Sequence, residues 1–282
     1  MTTATTSARD IDTDATVEHA TGADYVTAAL QSAKRTALRF SRTRQLIVLG
    51  TVQSALFLFM FRYIFGGAIR PGEGLDYVEF LVPGFLVTGT LWLGMSAAPS
   101  VAEDAATGVH DRLRSLPIPR SAVMLGRSLA DTALTLWGLL IAGVLGFAVG
   151  FRLHADGAEI ALALVMLVFA VYSFMWVFIA MGVTSGSAQA AQASATLLVV
   201  PLAFVSSAYV PADTLPGWMQ PVAENQPFTI VSNAVRSLTL GGADAVDLGH
   251  STAYWVTLSL VWCAGILAVF GAIAVSRFAR QR

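Results

Sequence analysis

The densest chemistry in this sequence falls in one stretch, Glu103-Asp104-Ala-Ala-Thr-Gly108-Val-His110-Asp111-Arg112-Leu113-Arg114-Ser115-Leu116-Pro117-Ile118-Pro119-Arg120. Carboxylates and guanidiniums are both dense here, and Leu113, Leu116 and Ile118 stand among them as apolar anchors. Pro117 and Pro119 end any helix and stiffen its exit. A short rigid element with mixed charge and a few apolar anchors is what docking onto a soluble partner requires. The plainer alternative is a basic loop that only fixes the orientation of its neighbours.

A second stretch, Tyr209 to Gly242, holds two helical pieces too short to cross a bilayer. After Pro211, Asp213 is placed to cap the first, with Pro216 in its first turn and Trp218 close behind. Asn225 is placed to cap the second, with Gln226 next and Pro227 in its first turn, and Gly241 to stop it. Ile230, Val231, Ala234, Val235 and Leu238 share one face, while Ser232, Asn233, Arg236 and Ser237 are polar. This pattern predicts a re-entrant hairpin, a form tolerated at membrane depth only against protein or a water-filled cavity.

Catalytic chemistry is not indicated. The four histidines are scattered, and the lone cysteine, Cys263, allows neither an internal disulfide nor a cysteine metal site. A nucleotide-binding GxxxxGK[ST] loop needs a lysine after glycine, but the single lysine, Lys34, follows Ala33. Arg127 and Asp131 form an i,i+4 pair expected to snorkel to the membrane interface. Pro201 is expected to kink its helix, and Gly146 and Gly150 make a GxxxG suited to helix packing.

The elements that position these stretches are membrane spans. The chain of 282 residues is 55% hydrophobic and 12% charged, against about 25% charged in soluble domains. Its net charge of −1 gives no field for nucleic acid. A bilayer core needs about 20 apolar helical residues, and six segments supply them: Gln45–Phe65, Val78–Ala102, Ser121–Gly150, two within the uncharged run Ile160–Ala212 separated by Thr184–Ser194, and Ser251–Ser276. Residues 1–24 are polar and expected to be disordered. In residues 25–42 an apolar stripe (Val26, Leu30, Ala33, Ala37, Phe40) opposes Arg35, Arg39 and Arg42, which predicts an interfacial helix. Lysine and arginine are concentrated before the first span, after the second and after the sixth, which places both termini in the cytoplasm. The whole reads as an all-α integral membrane domain over residues 25–282, six spans with a re-entrant hairpin between the fifth and sixth.

With these segments in hand, the chain resembles the ABC-2 type permeases, and among them the daunorubicin/doxorubicin-resistance type. The resemblance rests on Gly108 through Arg120, on Gly150-Phe151-Arg152-Leu153-His154, and on Pro216-Gly217-Trp218 followed by Asn225-Gln226-Pro227, Asn233-Ala234-Val235-Arg236 and Gly241-Gly242. It implies a multi-pass permease of the cell membrane working beside two copies of a separate ABC ATPase, which would bind ATP and magnesium, and a second permease, identical or homologous. It implies export of amphipathic drugs or lipid-like molecules; export of a polysaccharide or lipid-linked glycan is the alternative within the family. Coupling to the ATPase would run through Glu103, Asp104, Gly108, Asp111, Arg112, Leu113, Arg114, Leu116 and Pro117, and the outer gate would use Pro211, Pro216, Trp218, Asn225, Gln226, Pro227 and Arg236. The chain itself would hold no cofactor, and the uncharged Thr184–Ser194 loop would offer the ATPase little grip.

Overall fold

The computed structural model describes residues 44–67, 75–107, 120–244 and 248–280. The expected N-terminal tail, the interfacial helix over 25–42, and the coupling residues Gly108, Asp111, Arg112, Leu113, Arg114, Leu116 and Pro117 lie outside them.

The described chain is helical. Helix α1 (Arg44–Met60) runs into a π-helical turn at Phe61–Phe65, and α2 (Tyr77–Gly94) is followed almost without a break by α3 (Ala97–Ala106). Then come α4 (Arg120–Val149), α5 (Gly157–Thr184) and α6 (Ala188–Val205). A 3-10 turn (Ala212–Thr214), the short α7 (Gln220–Asn225), α8 (Pro227–Thr239) and α9 (Thr252–Arg280) complete the order. Among the described residues, 5 helices are long and apolar enough to cross a membrane: Tyr77–Ala106, Met124–Val149, Gly157–Thr184, Ala188–Val205 and Thr252–Phe278. Val52–Phe65 is a shorter apolar helix.

Local chemistry sets the boundaries. The Asp156 carboxylate accepts from the Glu159 amide and starts α5, and the Ser187 hydroxyl does the same for α6 through Ala190. The interruption between these helices is therefore only Ser185–Ser187, not the expected Thr184–Ser194. The alanines and glutamines beyond Ser187 are good helix formers once a cap is present. Helix α4 ends at Gly150, whose φ of +116° is the left-handed region glycine favours. Arg152 then donates to the Phe147 carbonyl at 3.1 Å, covering one of the free carbonyls of that helix end. Of the GxxxG pair, only Gly146 packs closely, against Val82.

The core lies where α5 meets α9, α3, α8, α4 and α2. Its centre is Phe174, Met175, Phe178 and Ile179 of α5 with Phe228, Val231 and Val235 of α8. The outward faces of α4, α6 and α9 remain apolar: Trp137 is 54% exposed, Leu197 78% and Val261 63%. Apolar surface on three long helices is what a hydrocarbon solvent would leave uncovered.

Candidate functional site

Helix α6 ends at Val205, and the chain continues as non-helical backbone through Ser206, Ser207, Ala208 and Tyr209, all buried. Buried backbone away from water must find partners for its N–H and C=O groups, and six of the eight here are met by a side chain. With its amide oriented to satisfy both ends, Gln226 accepts from the Ser206 N–H at 2.8 Å and donates to the Leu202 carbonyl at 3.3 Å. The Thr229 hydroxyl accepts from the Ser207 N–H at 3.0 Å, and the Ser206 hydroxyl from the Ala208 N–H at 3.3 Å. Arg236 Nη2 donates to the Ser207 and Ala208 carbonyls, each at 2.8 Å. The Tyr77 hydroxyl donates to the Tyr209 carbonyl at 2.8 Å.

Arg236 is the hub. It is 0% exposed, donates through Nε to the Phe80 carbonyl at 2.9 Å and through Nη1 to Asn233 Oδ1 at 3.0 Å, and lies 3.6 Å from the centroid of the Phe80 ring. No carboxylate among the described residues pairs with it. Its charge is held instead by carbonyl dipoles, an amide and a ring face, a set that the planar guanidinium fork meets and a lysine ammonium would not. The helix presenting it, α8, is buried along Phe228–Thr239 and packs against α2, α5 and α9. Helix α8 ends in a Schellman turn, with Gly241 at φ +86° and the Gly242 amide bonded to the Ser237 carbonyl at 2.9 Å.

The residues expected to form an outer gate divide. Gln226 and Arg236 bind the non-helical segment, and Pro227 opens α8. Asn225 does not cap α8: Gln226 holds the cap position, and the Asn225 side chain turns back to the Pro221 carbonyl at 2.9 Å. Asp213 and Pro216 do not start the first short helix either. That helix begins at Gln220, because Pro221 suits its first turn, while Asp213 sits in the preceding 3-10 turn. Trp218 is 78% exposed and takes no part in the cradle; Pro211 is half-buried. Sequence reading missed Tyr77, Phe80 and Thr229, because a tyrosine, a phenylalanine and a threonine in apolar helices look like ordinary filling.

A second polar cluster joins α3 to α4. Arg127 pairs with the Asp104 carboxylate, bonds Asp131 at 3.1 Å through Nε, and donates to the Ser100 hydroxyl at 2.8 Å. Arg127 and Asp104 are each 6% exposed. The expected snorkelling of Arg127 and Asp131 is thus replaced by a protein-facing ion cluster, since Asp104 supplies a partner that no interface position offers. Asp104 belongs to this cluster rather than to an open docking face, whereas Glu103 is exposed on the same turn.

Between these clusters lies a cavity of about 370 Å³. Phe57, Phe85, Trp92 and Tyr209 line it together with the amides of Gln53 and Gln192. The Trp92 indole donates to the Tyr209 hydroxyl at 3.3 Å, tying the cavity wall to the cradle.

The chain belongs to the ABC-2 type transporter family, whose pattern matches residues 27–240. It is 32% identical over 222 residues, 78% of this chain and 75% of the relative, to the daunorubicin resistance ABC transporter permease protein DrrB1 of Streptomyces coeruleorubidus. It is 25% identical over 255 residues, 87% of this chain and 86% of the relative, to the probable doxorubicin resistance ABC transporter permease protein DrrC of Mycobacterium tuberculosis. It is therefore a membrane permease of the kind that forms the transmembrane part of an ABC transporter.

Proposed function

We propose that this chain is the membrane-spanning subunit of an exporter that moves amphipathic drugs or lipid-like molecules out of the cell, driven by a separate ABC ATPase. Two permeases, identical or homologous, work with two ATPases. Each permease has six spans, counting α1 with the five longer helices, and both termini face the cytoplasm. Residues 25–42 lie in the inner interface, and the segment from Ser206 through α8 re-enters the membrane from outside.

The observation that carries this reading is the side-chain satisfaction of the Ser206–Tyr209 backbone. Non-helical backbone is tolerated at membrane depth only when protein or water meets its polar groups, and here Gln226, Thr229, Arg236 and Tyr77 do so. The aromatic cavity with two amides beside it suits a flat amphiphile better than a glycan. The Glu103–Pro119 stretch couples the permease to its ATPase, and the Asp104–Arg127–Asp131 cluster fixes the end of α3 that leads into it.

The test is ATP-dependent movement of a fluorescent amphiphile in proteoliposomes holding the chain and its cognate ATPase. Reversing Asp111 and Arg112 together should leave insertion intact, lower transport, and remove the stimulation of ATP hydrolysis by substrate. Charges at a docking surface set register and partner choice. Parental transport by the reversed variant would refute the coupling role of this stretch.

A further inference from the structure

A separate cavity of about 530 Å³ opens where the 3-10 turn, the end of α7 and the start of α9 come together. Two carboxylate-bearing residues, Asp213 and Glu224, stand on its wall, and no lysine or arginine lines it among the described residues. Three rings form one side: His250 and Tyr254 have centroids 4.3 Å apart, and Tyr254 meets Trp255 edge to face at 5.3 Å. Ring faces and carboxylates together are the recognition set for an organic cation. The inner wall includes Phe80, whose ring already holds a cation, the Arg236 guanidinium. That guanidinium is itself fully buried and committed to four acceptors, so it offers the cavity no donor.

Two of the lining residues also carry polar atoms left unpaired by the fold. Ser207 Oγ and Trp255 Nε1 have no hydrogen-bond partner among the described residues, although the two residues are only 5% and 7% exposed. A buried polar atom left unpaired is costly. The indole N–H needs an acceptor, and the serine hydroxyl can give or take a bond.

We infer that this cavity is a binding site for organic cations, amphiphiles that carry a protonated or quaternary amine. Its position on the outer side rests on the exporter reading above; the binding chemistry does not. The site is distinct from the aromatic cavity between α1, α2 and α6, and would hold a cation at the outer mouth, whether that cation is cargo on its way out or a solute of the medium.

The experiment uses the full chain in lipid nanodiscs without any ATPase, so that it does not depend on transport. Equilibrium dialysis compares benzyltrimethylammonium with neopentylbenzene, its uncharged isostere. Each is read as the difference between the parental chain and the D213N/E224Q variant, which cancels partition into lipid. Both substituted residues are exposed, so folding should be kept, and thermal unfolding of each variant checks this. The parental chain should bind the cation, and D213N/E224Q should weaken it about tenfold without changing the isostere. Y254L should weaken the cation by about two- to thirtyfold, the range of one cation–π contact. No difference between cation and isostere, or unchanged cation binding in D213N/E224Q, would overturn the site. A transport arm then separates the sources. If D213N/E224Q loses binding and also exports the cation more slowly, the occupant is cargo; if it loses binding with export unchanged, the occupant comes from the medium. Either result supports the site.

Discussion

Gly84 of α2 lies so close to Ala208 that a Cβ on the glycine would overlap the Ala208 carbonyl oxygen, and would stand 2.5 Å from Arg236 Nη2. The obstructing atom is backbone, held in place by the arginine, so neither side can yield cheaply. Gly84→Ala should destabilise the full chain by about 1–3 kcal/mol, the usual cost of overpacking. Thermal unfolding in detergent, followed by size-exclusion chromatography, reads this. A G84A variant melting with the parental chain would mean that the approach is looser than described.

Arg236 gives a graded series. Arg236→Ala leaves the Phe80, Ser207 and Ala208 carbonyls without their donor, at about 1–3 kcal/mol for each group left unsatisfied. The expected outcome is a chain that inserts but is cut by protease near 206–211. Arg236→Lys keeps the charge and loses the fork, and should fall between. Equal protease resistance in all three chains would show that the cradle does not depend on the guanidinium.

The Asp104–Arg127–Asp131 cluster separates stability from coupling. Arg127→Ala removes the cation that the two carboxylates share and should cost up to about 3–5 kcal/mol, the range for breaking a buried ion pair. Replacing the whole cluster, D104L/R127M/D131L, should recover most of that stability, as apolar replacements of buried ion pairs often do. Thermal unfolding of the two variants distinguishes these outcomes. A triple variant as unstable as Arg127→Ala would mean that the carboxylates have other essential partners.

Topology is open to a direct check. Cys263 is the sole cysteine and is 0% exposed, so the native chain should react little with a membrane-impermeant thiol reagent. A cysteine at His154, whose side chain is 51% exposed, should label in intact cells, and one at Arg282 should not. The reverse pattern would overturn the orientation.

The spans were legible because hydrocarbon demands long apolar runs, and Thr252–Arg280 needs nothing more to be found, whereas the first turns of Ala188–Val205, up to Ser194, read as the break between two spans because small polar residues interrupt the apolar run. The cradle was legible only in half. Pro227 and Gly241 mark the bounds of α8 by known turn chemistry, but Asn225 and Asp213 have capping side chains at positions where the helix does not begin. The partners of Arg236 lie 156 and 29 residues away, at Phe80 and Ser207, and no local pattern announces a carbonyl. The same limit hid the role of Asp104. In sequence it sits in a charge-rich stretch and reads as surface, while its partner Arg127, 23 residues on, reads as the flank of another span.

The distances along the chain that hid the cradle also order its biogenesis. Helix α2 emerges from the ribosome long before α8, so the Tyr77 hydroxyl and the carbonyl of Phe80 enter the membrane without the partners they have in the finished fold. The end of α6 is equally incomplete until Gln226 and Thr229 have been made. Helix α8, with its 13 residues, is too short to be inserted as a span of about 20, and so must dock onto helices already in place. Closure of this end of the protein is therefore a late event, in which one arginine completes contacts begun some 150 residues earlier.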